Sequence, residues 1–128
     1  MSATKHRLLD ARLDEAASAF PRTLVTRIVV ALLCGGLLAA NAGLVAGLGW
    51  TIAYGVVETW NGFACGPAVA GRTLSTAQRL NYLAALLAAG ANWALMAALY
   101  WNVGTEPTRL VFLLVLAGIL VHAQCFCY

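Results

Sequence analysis

From Ile28 to Tyr128 apolar residues follow one another almost without relief, and the one long interruption is Glu58–Arg79, ETWNGFACGPAVAGRTLSTAQR. This stretch holds Arg72, Arg79 and a Gly66-Pro67 break, and the pattern predicts a loop there between two membrane hairpins. The first hairpin is expected over 24–41 and 44–63, turning at Asn41-Ala42-Gly43, where an Asn-X-Gly run supplies turn chemistry. A span needs roughly 20 apolar residues, or about 17 at the short end, so two spans fit here tightly. The second hairpin is expected over 80–101 and 110–127. Ser75-Thr76-Ala77-Gln78 has capping-box spacing before it, and Tyr100 and Trp101 close its first helix at an interface. Pro107, after the polar NVGTEPT turn, is placed to start the last helix.

Residues 1–22 have a different pattern. Leu8, Leu9, Leu13, Ala16, Ala17 and Phe20 recur at helical spacing, with Arg7, Asp10, Arg12, Asp14 and Glu15 largely on the other side. That predicts a short amphipathic helix ended by Pro21, a polar leader that packs on the rest of the chain, with a place on the membrane surface as the alternative. A cleaved signal is the other reading of this region, from Arg27, the run Ile28–Leu38 and the small-residue site Ala40-Asn41-Ala42. The long acid-bearing region before the run, and the apolar chain after it, argue against cleavage.

Composition sharpens the picture. Hydrophobic residues are 62% and charged residues 10% of the 128, too few charges to cover a domain in water. Lipid is therefore the expected solvent, and no basic stripe suggests nucleic acid. Charge placement then sets the threading. Lys5, Arg7, Arg12, Arg22 and Arg27 precede the first span, Arg72 and Arg79 sit in the middle loop, and Arg109 is offset by Glu106. The positive-inside rule puts the leader and the middle loop on one side, which requires an even number of crossings between them. The expectation is an all-α integral membrane protein of four transmembrane helices, in the bacterial inner membrane, with both termini cytoplasmic.

Candidate chemistry is sparse. Glu58 is the one carboxylate inside an expected span, at a depth shared by Arg27, Arg79 and His122. These four form a possible polar or sensing cluster, against the plainer reading of a structural ion pair. Glu58 is expected to face the bundle, with Tyr54 and Asn61 on its side and Val56 and Phe63 toward lipid. His122, Cys125 and Cys127, with Cys65 on the same side of the membrane, carry ligand-type atoms, but structural zinc sites use tighter paired spacing. No metal or other cofactor is expected, nor a disulfide framework from the four cysteines, because cytoplasmic thiols stay reduced. Asn92, mid-span, is expected to bond across to another helix or a second copy. Gly36 and Ala40 form the one clean small-residue pair in the first hairpin. No nucleotide loop, catalytic triad or carboxylate pair is present in the sequence, so enzyme activity is not expected.

Several stretches resemble the N-terminal membrane portions of bacterial sensor histidine kinases and related signalling proteins: AFPRTL, GRTLSTAQRLNYLAAL, NWALMAALYW and LAGILVHAQCF. The resemblance covers most of the chain and implies a membrane-embedded sensory or anchoring module, with Tyr128 as a truncation point before an output domain. Kinase activity does not carry over, since the phospho-acceptor and kinase regions are not in this sequence. The alternative is a small accessory subunit of a larger respiratory or photosynthetic membrane complex. Either role implies lipid and neighbouring membrane helices, its own or another subunit's, as partners.

Overall fold

The computed structural model describes residues 3–107, 109–110, 112–114 and 117. Among them the chain is all-helical, with α1 (Ala3–Ser18), α2 (Phe20–Ala42), α3 (Leu44–Val69) and α4 (Thr76–Val103). Helical residues resume at Glu106, and most of the expected last span, 110–127, lies outside the described residues.

Each boundary has a local cause. Gly43 alone joins α2 to α3, at φ 93°, a left-handed value that glycine adopts without strain. The leader does not end at Pro21. α1 stops at Ser18, whose hydroxyl donates to the Glu15 carbonyl at 2.7 Å. Pro21 then stands in the first turn of α2, where its missing N–H costs nothing.

The expected loop over 58–79 is also shorter than the pattern suggested. α3 runs through Gly66-Pro67 to Val69, because Gly66 has no Cβ to clash with the proline ring and the last turn has little helix left to disrupt. Gly71, at φ 75°, ends it by donating to the Ala68 carbonyl at 2.9 Å. At the start of α4 the Ser75 hydroxyl accepts from the Gln78 amide and the Gln78 side chain accepts from the Ser75 amide, a closed capping box.

α3 is the central helix. It packs most extensively on α2, then on α4, and α1 crosses its C-terminal end. Its buried positions Gly47, Trp50, Tyr54, Glu58, Asn61, Cys65 and Ala68 repeat every three or four residues, so one stripe meets all its neighbours. One core gathers Ala31, Cys34, Leu38, Trp50, Tyr54, Met96, Tyr100 and Phe112; a second, near α1, gathers Ala17, Phe20, Ala64, Cys65, Ala68, Leu74 and Tyr82. Among the described residues, two helices, α2 and α4, are long and apolar enough to cross a membrane. α3, at 26 residues, is as long but is not one of these two.

The α2–α3 contact depends on small residues, though not on the expected pair. Gly36 faces open space and Ala40 is exposed. The close approach lies one position away: a Cβ on Gly47 would fall 2.5 Å from the Ala39 Cβ and 2.6 Å from the Gly35 carbonyl oxygen. Backbone atoms cannot yield there as a flexible side chain would. Gly47→Ala is therefore expected to lower unfolding free energy in detergent by about 1–3 kcal/mol, the cost of overpacking. Gly36→Ala, with no atom in its way, is expected to be neutral or to gain up to about 1 kcal/mol from helix propensity. Thermal or denaturant unfolding of both variants checks the contrast.

Candidate functional site

The polar groups of the described chain concentrate at the end of the bundle where α2 starts, α3 stops and α4 starts. Glu58 projects inward from α3 and is 8% exposed, and the Arg27 Nη2 of α2 lies 3.3 Å from its Oε2. This is ion-pair distance without hydrogen-bond alignment, and Oε2 has no hydrogen-bond donor. Arg27 is held elsewhere too. Its guanidinium sits 4.2 Å from the centroid of the Phe20 ring, and Nη2 also donates to the Phe20 carbonyl at 3.5 Å. Tyr54 and Asn61 share the buried side of α3 with Glu58, while Val56 and Phe63 are exposed.

Arg79 does not join this pair. Its Nε and Nη2 donate to the two carboxylate oxygens of Asp14 at 3.1 and 2.9 Å, and its Nη1 lies 3.2 Å from Asp10. A two-pronged guanidinium–carboxylate contact fixes direction as well as charge, so α1 is clamped across the start of α4. Asp10 and Asp14 therefore stand on the packing side of α1 with Leu13 and Ala17, while Leu8, Leu9 and Ala16 are exposed, so only part of the expected apolar face packs. The four-residue spacing of the two acids was a signal for this, since it puts both on one helix face.

Above this charged end the bundle is tied by hydrogen bonds to backbone. The Trp50 indole N–H donates to the Asn92 carbonyl at 2.9 Å, and the Asn61 amide donates to Val57 and Ala85 carbonyls at 3.2 and 3.5 Å. Asn92 thus bridges helices through its carbonyl, and its side-chain Nδ2 is buried without a partner. Trp93 meets Trp50 and Tyr54 edge to face at 5.2 and 5.7 Å, an aromatic cluster that the residue pattern alone did not reveal.

Cys65 is fully buried in the apolar cluster beside α1, away from solvent. Among the described residues no group of three or more His, Cys, Asp or Glu is placed to hold a metal ion. His122, Cys125 and Cys127 lie outside the described residues.

Two outcomes are expected of this geometry. Glu58→Leu strands Arg27, which is 28% exposed and can partly swing to water, so the loss should be about 2–3 kcal/mol, below that of a fully buried pair. Glu58→Gln keeps an acceptor and should cost less than half of that; thermal unfolding in detergent ranks the two. The second outcome concerns acid. Hydrogen bonding from Arg79 is the main reason the Asp14 carboxyl sits below its ordinary value of 3.8, with desolvation opposing, and the Arg79 charge and the Leu74 backbone amide assisting. A depressed carboxyl pKa adds stability above the unfolded value and loses it as pH falls through the folded value. Protection of α1 from proteolysis should therefore hold at neutral pH and fade below about pH 4, and Asp14→Asn should lack this acid step.

No family model, curated protein or solved structure matches this chain.

Proposed function

We propose that the chain is a non-catalytic, multi-pass membrane module of four spanning helices, namely α2, α3, α4 and a last one over 110–127. In this reading it serves as the sensory or anchoring part of a bacterial inner-membrane signalling protein. The observation that carries the membrane reading is the polarity of the bundle. Arg12, Arg22, Arg27, Arg72 and Arg79 belong to the end that α1 crosses, while the Gly43 turn at the other end carries no charge. That asymmetry is what the positive-inside rule expects of a chain with its leader and middle loop in the cytoplasm. The exposed apolar side chains agree: Val25, Leu33, Val45, Ile52, Phe63 and Leu87 project outward, and a water-facing bundle would hide them.

The anchoring or sensory role draws its support from α1. It is clamped to α4 by Arg79 and packs on α3, so a shift within the bundle reaches the leader directly. An accessory subunit is the second reading, favoured by the exposed Trp60, whose indole N–H donates to Asn81 on α4 at 3.1 Å, a polar tie on an outer face. Reporter fusions after Leu74 and after Tyr128 should both read cytoplasm, and one at Gly43 should read periplasm; a periplasmic signal at Leu74 removes the topology. Genes beside this one then separate the roles: a response regulator supports signalling, respiratory or photosynthetic subunits support the accessory reading.

A further inference from the structure

Once its ion pairs are counted, the end of the bundle that α1 crosses has cations to spare. Asp10 and Asp14 are held by Arg79, and Glu58 by Arg27. Arg12, Arg22 and Arg72 are exposed and, among the described residues, form no ion pair. Of the described carboxylates at this end only Glu15 is left, and it pairs with none of them. The chain holds the three arginines at one level. Arg22 stands in the first turn of α2, and Arg72 in the link between α3 and α4. Arg12 lies between the two aspartates that Arg79 grips from the first turn of α4. Only Ala19 separates α1 from α2, so α1 has no linker on which to leave that level. Its outward side is not purely polar. Leu8 and Leu9 are exposed, and Arg12 follows them by four and three residues, so the three share one helix face.

We infer that this end of the bundle docks on anionic phospholipid headgroups of the bilayer that the chain spans. Arg12, Arg22 and Arg72 hold lipid phosphates, and Leu8 and Leu9 enter the layer beneath them. The inference rests on the membrane reading above, in which these arginines stand where the helices enter the bilayer. Charge complementarity names the partner. A guanidinium offers two parallel N–H groups to two oxygens of one phosphate. A phosphatidylglycerol head keeps its negative charge, whereas the choline of phosphatidylcholine cancels it. The leucines separate a lipid layer from a soluble polyanion. Nucleic acid or an acidic protein would take the arginines but leave Leu8 and Leu9 in water. A helix with leucine and arginine on one outward face is suited to lie at a lipid surface, where both find partners.

The test uses the full chain in maltoside micelles doped with dioleoylphosphatidylglycerol or, in parallel, dioleoylphosphatidylcholine. Thermal unfolding reports binding. Phosphatidylglycerol should raise Tm by several degrees in a saturable way that weakens with added salt, and phosphatidylcholine should not. Each of Arg12→Gln, Arg22→Gln and Arg72→Gln should weaken the phosphatidylglycerol response about fivefold, the pull of an anionic surface on one cation. All three side chains are exposed and unpaired, so each variant should match the parent Tm in lipid-free micelles. Leu8→Gln should weaken the response too, and Arg109→Gln, whose side chain pairs with Glu106 at the other end of α4, should not. Equal shifts with the two lipids, an undiminished response in the three arginine variants, or an equal loss in Arg109→Gln overturns the inference. So does a soluble heparin fragment that stabilises the chain as well as the lipid does and is indifferent to Leu8→Gln. These micelle measurements do not depend on threading, which the reporter fusions address separately.

Discussion

An ionised carboxylate inside an apolar bundle must be matched by charge, and the register of the first hairpin is the one that matches it. Arg27 stands sixteen residues before Gly43 and Glu58 fifteen after it, so a one-residue turn brings them opposite each other. The same register sets Gly35 and Ala39 against Gly47 and Thr51, where only glycine lets the backbones approach. Sliding the helices by a turn in either direction would put side chains into that contact and leave Glu58 without a cation. Charge and shape thus specify one alignment. Neither would do so alone, since outward-facing Leu and Val offer little preference between registers.

The second charged layer ties in a segment with little apolar surface of its own to bury. α1 buries little beyond Ala17 and part of Leu13, and its exposed Leu8 and Leu9 gain nothing from the contact. Its position depends on Arg79 reaching Asp14 with two nitrogens and Asp10 with a third. Beside the clamp, Ala17 joins the apolar cluster that holds Phe20, Cys65 and Tyr82.

Much of this was legible in the sequence, for reasons particular to the residues. The turn at Gly43 and the cap at Ser75 are local chemistry, readable within four residues. The inward side of α3 was legible because Tyr54, Glu58 and Asn61 share one helical face and polar groups seek partners away from hydrocarbon. The remainder depended on tertiary context. Gly66-Pro67 reads as a break, yet a proline in a final turn displaces little. Asp10 and Asp14 read as a solvated face, because nothing near them in sequence announced Arg79, sixty-five residues on from Asp14. Among so many glycines and alanines, which pair forms the contact was decided by the partner helix, one position from the pair the spacing suggested.

The single-residue turn at Gly43 also makes the hairpin a lever. Arg27 lies about 24 Å along α2 from that pivot at 1.5 Å per residue, so an opening of about 5° carries it roughly 2 Å away from Glu58. The pair separates long before the apolar seam near the pivot has moved appreciably. An opening of a few degrees at this turn is thus felt first at the charged end, as the making or breaking of one ion pair. Geometry alone turns a small angular strain into an electrostatic event.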